Sequence, residues 1–159
     1  MTRTTRSLLC AMFLLFVVVS CSQDGDPVSR TAGSRNETST NPELIAEATH
    51  FGGIVLPPKT QVLQARVDSA LDTAYRLALR LDPGALTQLL ADSHFDKPLT
   101  KAYPPFEQVL AGPSLESSPS VLSAQDRYQN TDGRSVYRTV VVDERDPSTR
   151  FVQLTMFTT

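Results

Sequence analysis

Eight consecutive residues, Phe151 to Thr158 (FVQLTMFT), carry no charge and read as a closing strand. An uncharged strand at an open sheet edge invites edge-to-edge pairing with other chains, so both of its sides must be paired or covered. The fold is therefore expected to place this segment inside a sheet. The rest of the last forty residues agrees with an antiparallel arrangement. Asn130-Thr131-Asp132-Gly133 is a turn signal, Arg134 to Asp143 holds the β-branched run Thr139-Val140-Val141-Val142, and Asp143 to Thr149 is a polar connection containing Pro147.

Residues 62–81 fit two templates. Leu63, Val67, Ala70, Ala74, Leu77 and Leu81 fall at helical spacing, yet Leu63-Ala65-Val67 and Tyr75-Leu77-Leu79-Leu81 alternate with Gln64, Arg66, Arg76 and Arg80. Two strands joined near Ser69–Asp72 is the preferred reading, because the second run alternates over seven residues and puts Arg76 and Arg80 on one wet face; a single helix is the other. Helix starts are clearer. Asn41-Pro42-Glu43 combines a side-chain cap, a proline at the first position and an acid near the positive end of the dipole, which predicts a short helix to about Thr49, broken by Phe51-Gly52-Gly53. Asp82-Pro83-Gly84 opens a second helix with Leu86, Leu89 and Leu90 as its buried stripe, fraying near Ser93. Pro104-Pro105 could open one more helical turn through Leu110, and residues 111–120 read as a Pro- and Ser-rich loop. The expected fold class is α+β: an antiparallel sheet of about five strands with one principal helix packed on it.

The 159-residue chain divides before that domain. Residues 1–20 read as a signal peptide: Arg3 and Arg6 form a basic start, and the 12 apolar residues from Leu8 to Val19 fall short of the roughly 20 that span a bilayer. The two arginines are not adjacent, so Sec export fits better than a twin-arginine route. Residues 21–43 read as a modified cysteine and a flexible tether. From Ser22 to about Asn41 the chain has Val28 as its one large apolar residue, which is too little to bury. Residues 44–159 are then a single domain of ordinary size. The sequon Asn36-Glu37-Thr38 lies in the tether and is read as chance.

Val18-Val19-Ser20-Cys21 resembles the lipobox of bacterial lipoproteins. The resemblance covers only the signal and this tetrapeptide. It implies cleavage before Cys21, a diacylglycerol on the Cys21 thiol and a fatty acyl group such as palmitate on the new amino terminus, so the lipid bilayer becomes a partner through acylated Cys21. Two or three chains at about 0.8 kcal/mol per buried CH₂ hold a protein firmly, whereas one holds it marginally. The implied location is the extracytoplasmic face of the cell membrane. Arginine outnumbers lysine twelve to three, a bias that a GC-rich genome such as an actinobacterium's produces, while Ser22 after the cysteine would suit outer-membrane transfer in a Gram-negative cell.

Cysteine usage and charge narrow the chemistry. The chain's other cysteine, Cys10, lies in the signal, so the domain can hold neither a disulfide nor a Cys-ligated metal. After processing, 13 basic residues face 17 acidic ones, which offers no basic excess for nucleic acid and no electrostatic help at anionic headgroups. His50 and His94 are too few and too far apart for a histidine metal site, and no cofactor is expected. Asp92-Ser93-His94-Phe95-Asp96 gathers a serine, a histidine and two acids, but neighbours at a helix end point in different directions, and a triad needs convergence. Asp143-Glu144-Arg145-Asp146 lacks the ligand spacing and glycine of a calcium loop, and Gly52-Gly53 lacks the Gly-Lys-Ser/Thr of a phosphate loop.

Two sets of side chains keep a binding role open. Tyr103, Phe106, Tyr128 and Tyr137 could line a groove. Arg66, Arg76 and Arg80 would share a sheet face as possible ligand-facing residues, and Arg134 with Arg138 another, although the solvated side of a sheet is the plainer reading. The function expected from sequence is a membrane-anchored envelope lipoprotein acting as a non-catalytic binding or structural module for an envelope protein, polymer or small ligand. An envelope hydrolase with an unidentified site is the alternative.

Overall fold

The computed structural model describes residues 34–158. The signal, the lipobox with Cys21 and the tether as far as residue 33 lie outside the described residues. Seven strands, β1 (Arg35–Ser39), β2 (Gln61–Ser69), β3 (Thr73–Leu81), β4 (Thr100–Lys101), β5 (Val121–Gln129), β6 (Ser135–Asp143) and β7 (Arg150–Phe157), form one antiparallel sheet in the order β1-β2-β3-β7-β6-β5-β4. Two helices, α1 (Pro42–Gly52) and α2 (Pro83–Asp92), accompany it. The class is α+β, as expected, with more strands and a second substantial helix.

The uncharged strand β7 lies at the centre, hydrogen-bonded to β3 on one side and β6 on the other. Its inward residues Val152, Leu154 and Met156 are almost wholly buried. Residues 61–81 form the hairpin β2–β3, which resolves the helix-or-strand ambiguity in favour of strands. A helix would have turned Leu77, Leu79 and Leu81 about 200° apart in succession, whereas alternation puts all three in the core and Arg66, Arg76 and Arg80 opposite.

Both helix starts form as the sequence indicates. Asn41 Oδ1 accepts from Glu43 N at 3.0 Å and Asp82 Oδ1 from Ala85 N at 2.8 Å, each with proline in the first turn. Helix α1 runs past Thr49 to Gly52, because Phe51 is drawn into the core and it is Gly53, at φ 61°, that takes the left-handed capping conformation. Leu44, Ala48 and Phe51 bury one face of α1, and Leu86 and Leu89 one face of α2. At about 1.5–3 kcal/mol for each fully buried large apolar side chain, these faces are a principal stabiliser of the layer.

Three expectations need correction. Residues 35–43, read from composition as tether, form β1 and the cap of α1, with Arg35 opposite Ser69 and Ser39 opposite Ala65. Ladder hydrogen bonds to β2, not apolar burial, hold this polar strand. Residues 104–110 do not form a helical turn: Leu110 N donates to Gln153 Oε1 at 3.0 Å in place of a carbonyl four residues back. The 3₁₀ turn of this region falls at Leu115–Ser117. Arg138 does not share an outward face with Arg134, since it alternates in phase with Val136, Val140 and Val142 and is buried.

Candidate functional site

The two faces of the sheet are unlike. The helix-covered face holds the apolar core and one buried ion pair. Arg138 is 1% exposed and donates from all five of its N–H positions: Nε to Asp126 Oδ1 (2.8 Å), Nη1 to the carbonyls of Gly52 (3.1 Å) and Ser93 (2.9 Å), and Nη2 to Asp126 Oδ2 and the His94 carbonyl (3.3 Å). Its guanidinium also lies over the rings of Phe95 (4.2 Å) and Tyr128 (4.7 Å). One cation thus takes up the carbonyls at the ends of both helices and joins them to β5, a structural role with no valence left for a ligand.

The other face presents cross-strand rows, because antiparallel register aligns every second residue of each strand. One row reads Arg66, Arg76, Thr155, Thr139, Gln125 from β2 to β5. The next reads Gln64, Ala78, Gln153, Val141, Ser123, and the one beyond it holds Arg80, Phe151 and Asp143. Segment 102–115 crosses this face. Gln153 fastens it, accepting from Leu110 N and donating from Nε2 to the Ala111 carbonyl at 2.8 Å, and Ala78, beside Gln153, is fully buried although it points away from the helices. The crossing strap leaves a cleft of about 200 Å³ over the first two rows. Its floor is Arg76, Thr155, Thr139, Gln125 and Ser123, and Tyr103, Pro105, Phe106 and Leu110 form its wall.

The three arginines proposed as ligand-facing share this face but do not converge. Arg66 is committed to Asp68, with Nε–Oδ2 at 2.8 Å and Nη2–Oδ1 at 2.7 Å. Those bonds hold the Asp68 carboxyl below the usual carboxylate range against the opposing effect of burial, and the charge of Arg76 contributes in the same direction. Arg80 is exposed beyond the strap, beside Arg145, Asp146 and Phe151. Arg76 alone lines the cleft, and its Nε is closed to solvent with no hydrogen-bond partner. Arg66, Asp68 and Arg76 together carry one net positive charge. The excess sits on Arg76.

The remaining candidates resolve individually. Tyr103 and Phe106 line the cleft, Tyr128 covers Arg138, and Tyr137 stacks on Phe157 with ring centroids 5.4 Å apart. Ser93 is buried with Oγ accepting from Val55 N at 2.9 Å, while His94 is exposed at φ 53°, so this serine and histidine serve a helix end. His50 Nε2 lies 3.3 Å from Thr131 Oγ1, far along the chain from His94. Asp143 is buried and accepts from Ser118 Oγ, Arg145 N and Arg145 Nε, and Glu144 accepts from Ser120 Oγ, which makes the acidic stretch a loop clamp. Among the described residues no group of three or more His, Cys, Asp or Glu side chains is placed to hold a metal ion, and no helix is long and apolar enough to cross a membrane.

Sequence alternation pointed to the face that Arg76 occupies but not to the cleft, whose wall comes from a segment without periodicity. Asp126 was not singled out and Arg138 was assigned to the solvated face, though a signal for burial existed: Arg138 is in phase with three valines of one strand. The chain matches no protein-family model, no curated protein and no solved structure.

Proposed function

We propose that the chain is a lipid-anchored, non-catalytic binding module of the bacterial cell envelope, tethered through acylated Cys21 and holding a ligand in the cleft between segment 102–115 and the open sheet face. The anchor rests on the basic start, the apolar stretch and Val18-Val19-Ser20-Cys21. The observation that carries the binding role is Arg76, a cation with a buried, unpartnered Nε at the head of a cleft whose other floor groups are neutral. Catalysis would need titratable groups converging on a reacting atom, and the cleft instead offers one arginine, neutral hydroxyls and amides, and the exposed Glu107 at its mouth.

The test has two parts. Mass spectrometry of the membrane fraction should find Cys21 as an acylated amino terminus, and Cys21→Ala should leave an uncleaved precursor; an intact Met1 on the mature protein contradicts the anchor. Native mass spectrometry of protein isolated from its own membranes should show a bound small molecule that is lost in Arg76→Gln. Turnover of esterase, peptidase or cell-wall substrates that copurifies with the chain and disappears in a point variant would replace the binding reading with the hydrolase one.

A further inference from the structure

We infer that the cleft recognises a sugar acid, a carboxylate carried on a polyhydroxylated ring, with the carboxylate at Arg76 and the ring lying along the Thr155, Thr139 and Gln125 row. This rests on the cleft being the binding site proposed above and names its ligand class.

The charge comes first. Arg66 and Arg76 stand directly opposite across β2 and β3, an arrangement that like charges disfavour. Asp68 neutralises Arg66 through two hydrogen bonds, so the pair is tolerated and Arg76 keeps its full charge. A guanidinium offers a planar fork of donors matched to a carboxylate, and its two Nη groups are the prongs of the end-on geometry. Nε of Arg76 is closed to solvent, so a carboxylate in the cleft meets the Nη end.

The floor decides what carries the carboxylate. Thr155, Thr139, Gln125 and Ser123 provide hydroxyls and an amide that both donate and accept, with no second charge among them. Strands lie about 4.8 Å apart, so Thr155 to Gln125 is roughly 10 Å, a line of neutral polar groups as long as one to two sugar rings. An apolar acid would leave these groups unpaired, which costs more than its own burial returns. Ring hydroxyls satisfy them. Across the cleft, Tyr103 and Phe106 supply flat aromatic faces for the C–H side of a sugar ring, and Tyr103 is 70% exposed at the mouth. The volume of about 200 Å³ is below the 300–1,000 Å³ of typical sites for drug-sized ligands, so one ring enters fully and the rest of any longer molecule stays outside. Glu107 opposes an anion from the exposed rim, while Lys101, with Nζ 5.5 Å from the Tyr103 ring centroid, offsets it.

The experiment is an NMR titration of the ¹⁵N-labelled full chain in detergent, observing the Arg76 Nε–H and Gln153 side-chain amide signals, with the Arg80 Nε–H signal as control. The probes are sodium glucuronate, glucose, benzoate and a hyaluronan tetrasaccharide. Glucuronate should shift both signals saturably, with glucose and benzoate each at least tenfold weaker. Arg76→Gln should weaken glucuronate at least tenfold, Arg80→Gln should leave it within twofold, and Glu107→Gln should tighten it about twofold. Comparison of the tetrasaccharide with the monosaccharide separates a polymer residue from a free sugar acid as the source. Equal binding of glucose and glucuronate, tighter binding of benzoate, or shifts confined to Arg80 overturn the inference. If all four probes fail while membrane-isolated protein still carries a molecule lost in Arg76→Gln, the ligand class is wrong and the binding module stands; if neither is seen, both fall.

Discussion

Arg138 shows how much can depend on a side chain that composition counts as one more surface charge. An isolated buried ion pair breaks at a cost of about 3–5 kcal/mol when one partner is removed, and replacing both partners with apolar groups often recovers most of it. Here the recovery should fail. Arg138 holds the carbonyls of Gly52, Ser93 and His94 as well as Asp126, so removing the pair still leaves three backbone acceptors in search of donors. Asp126→Leu alone and Arg138→Met alone are each expected to lower stability by about 3–5 kcal/mol, and the double variant to stay at least about 2 kcal/mol below the wild type, read as urea midpoints with unchanged slope. A double variant equal to the wild type would reduce Arg138 to an ordinary ion-pair partner.

At the scale of elements, the hairpin β2–β3 carries the fold's clearest pH dependence. Asp68 has a folded pKa below its ordinary value, chiefly through the hydrogen bonds of Arg66. A depressed carboxyl contributes stability above its unfolded value, near 3.9, and loses it as pH falls through the folded value. Its side chain is 34% exposed, so the contribution is discounted to about 0.5–1 kcal/mol. Asp68→Asn should therefore be less stable than the wild type by that amount at pH 6, with the gap narrowing only as pH is lowered below the ordinary carboxylate range, measured by thermal unfolding across pH; a gap that does not narrow on acidification would assign the loss to packing. This hairpin was legible only as the preferred of two readings, because the alternation of Tyr75, Leu77, Leu79 and Leu81 with Arg76 and Arg80 coexists with helical spacing of Leu63, Val67, Ala70, Ala74, Leu77 and Leu81. The helices were more plainly legible, from their caps. Strand β1 was not: RNETS is polar at every position, and it becomes a strand only through the ladder it makes with residues about thirty positions on. Segment 102–115 escaped for the same reason, since its place depends on the Gln153 side chain and on no pattern of its own. Arg76, Tyr103 and Phe106 were thus visible as residues while their convergence on one cleft was not.

At the scale of the molecule, β7 joins two halves that cannot stand alone. On one side lie β1, β2 and β3, on the other β6, β5 and β4, and each half is a small sheet of marginal independent stability. Val152, Leu154 and Met156 of β7 each bury essentially all of their side chain, worth about 5–9 kcal/mol together, which is comparable to the whole stability of an ordinary domain. Strand β1 offers the contrast: it sits at an edge and none of its residues is buried. A chain ending at Thr149 should accordingly show no cooperative unfolding by circular dichroism and a collapsed amide spectrum, whereas a chain beginning at Thr40 should keep its dispersed spectrum and lose only about 1–2 kcal/mol with the ladder bonds of one edge strand. Removing β1 also uncovers the backbone edge of β2, an alternating strand of nine residues, so that shortened chain should self-associate in sedimentation velocity where one beginning at Ser34 does not. A monomeric chain from Thr40 would mean that Arg66, Asp68 and the other outward groups of β2 already protect its edge, and that β1 serves only to lead the chain into α1.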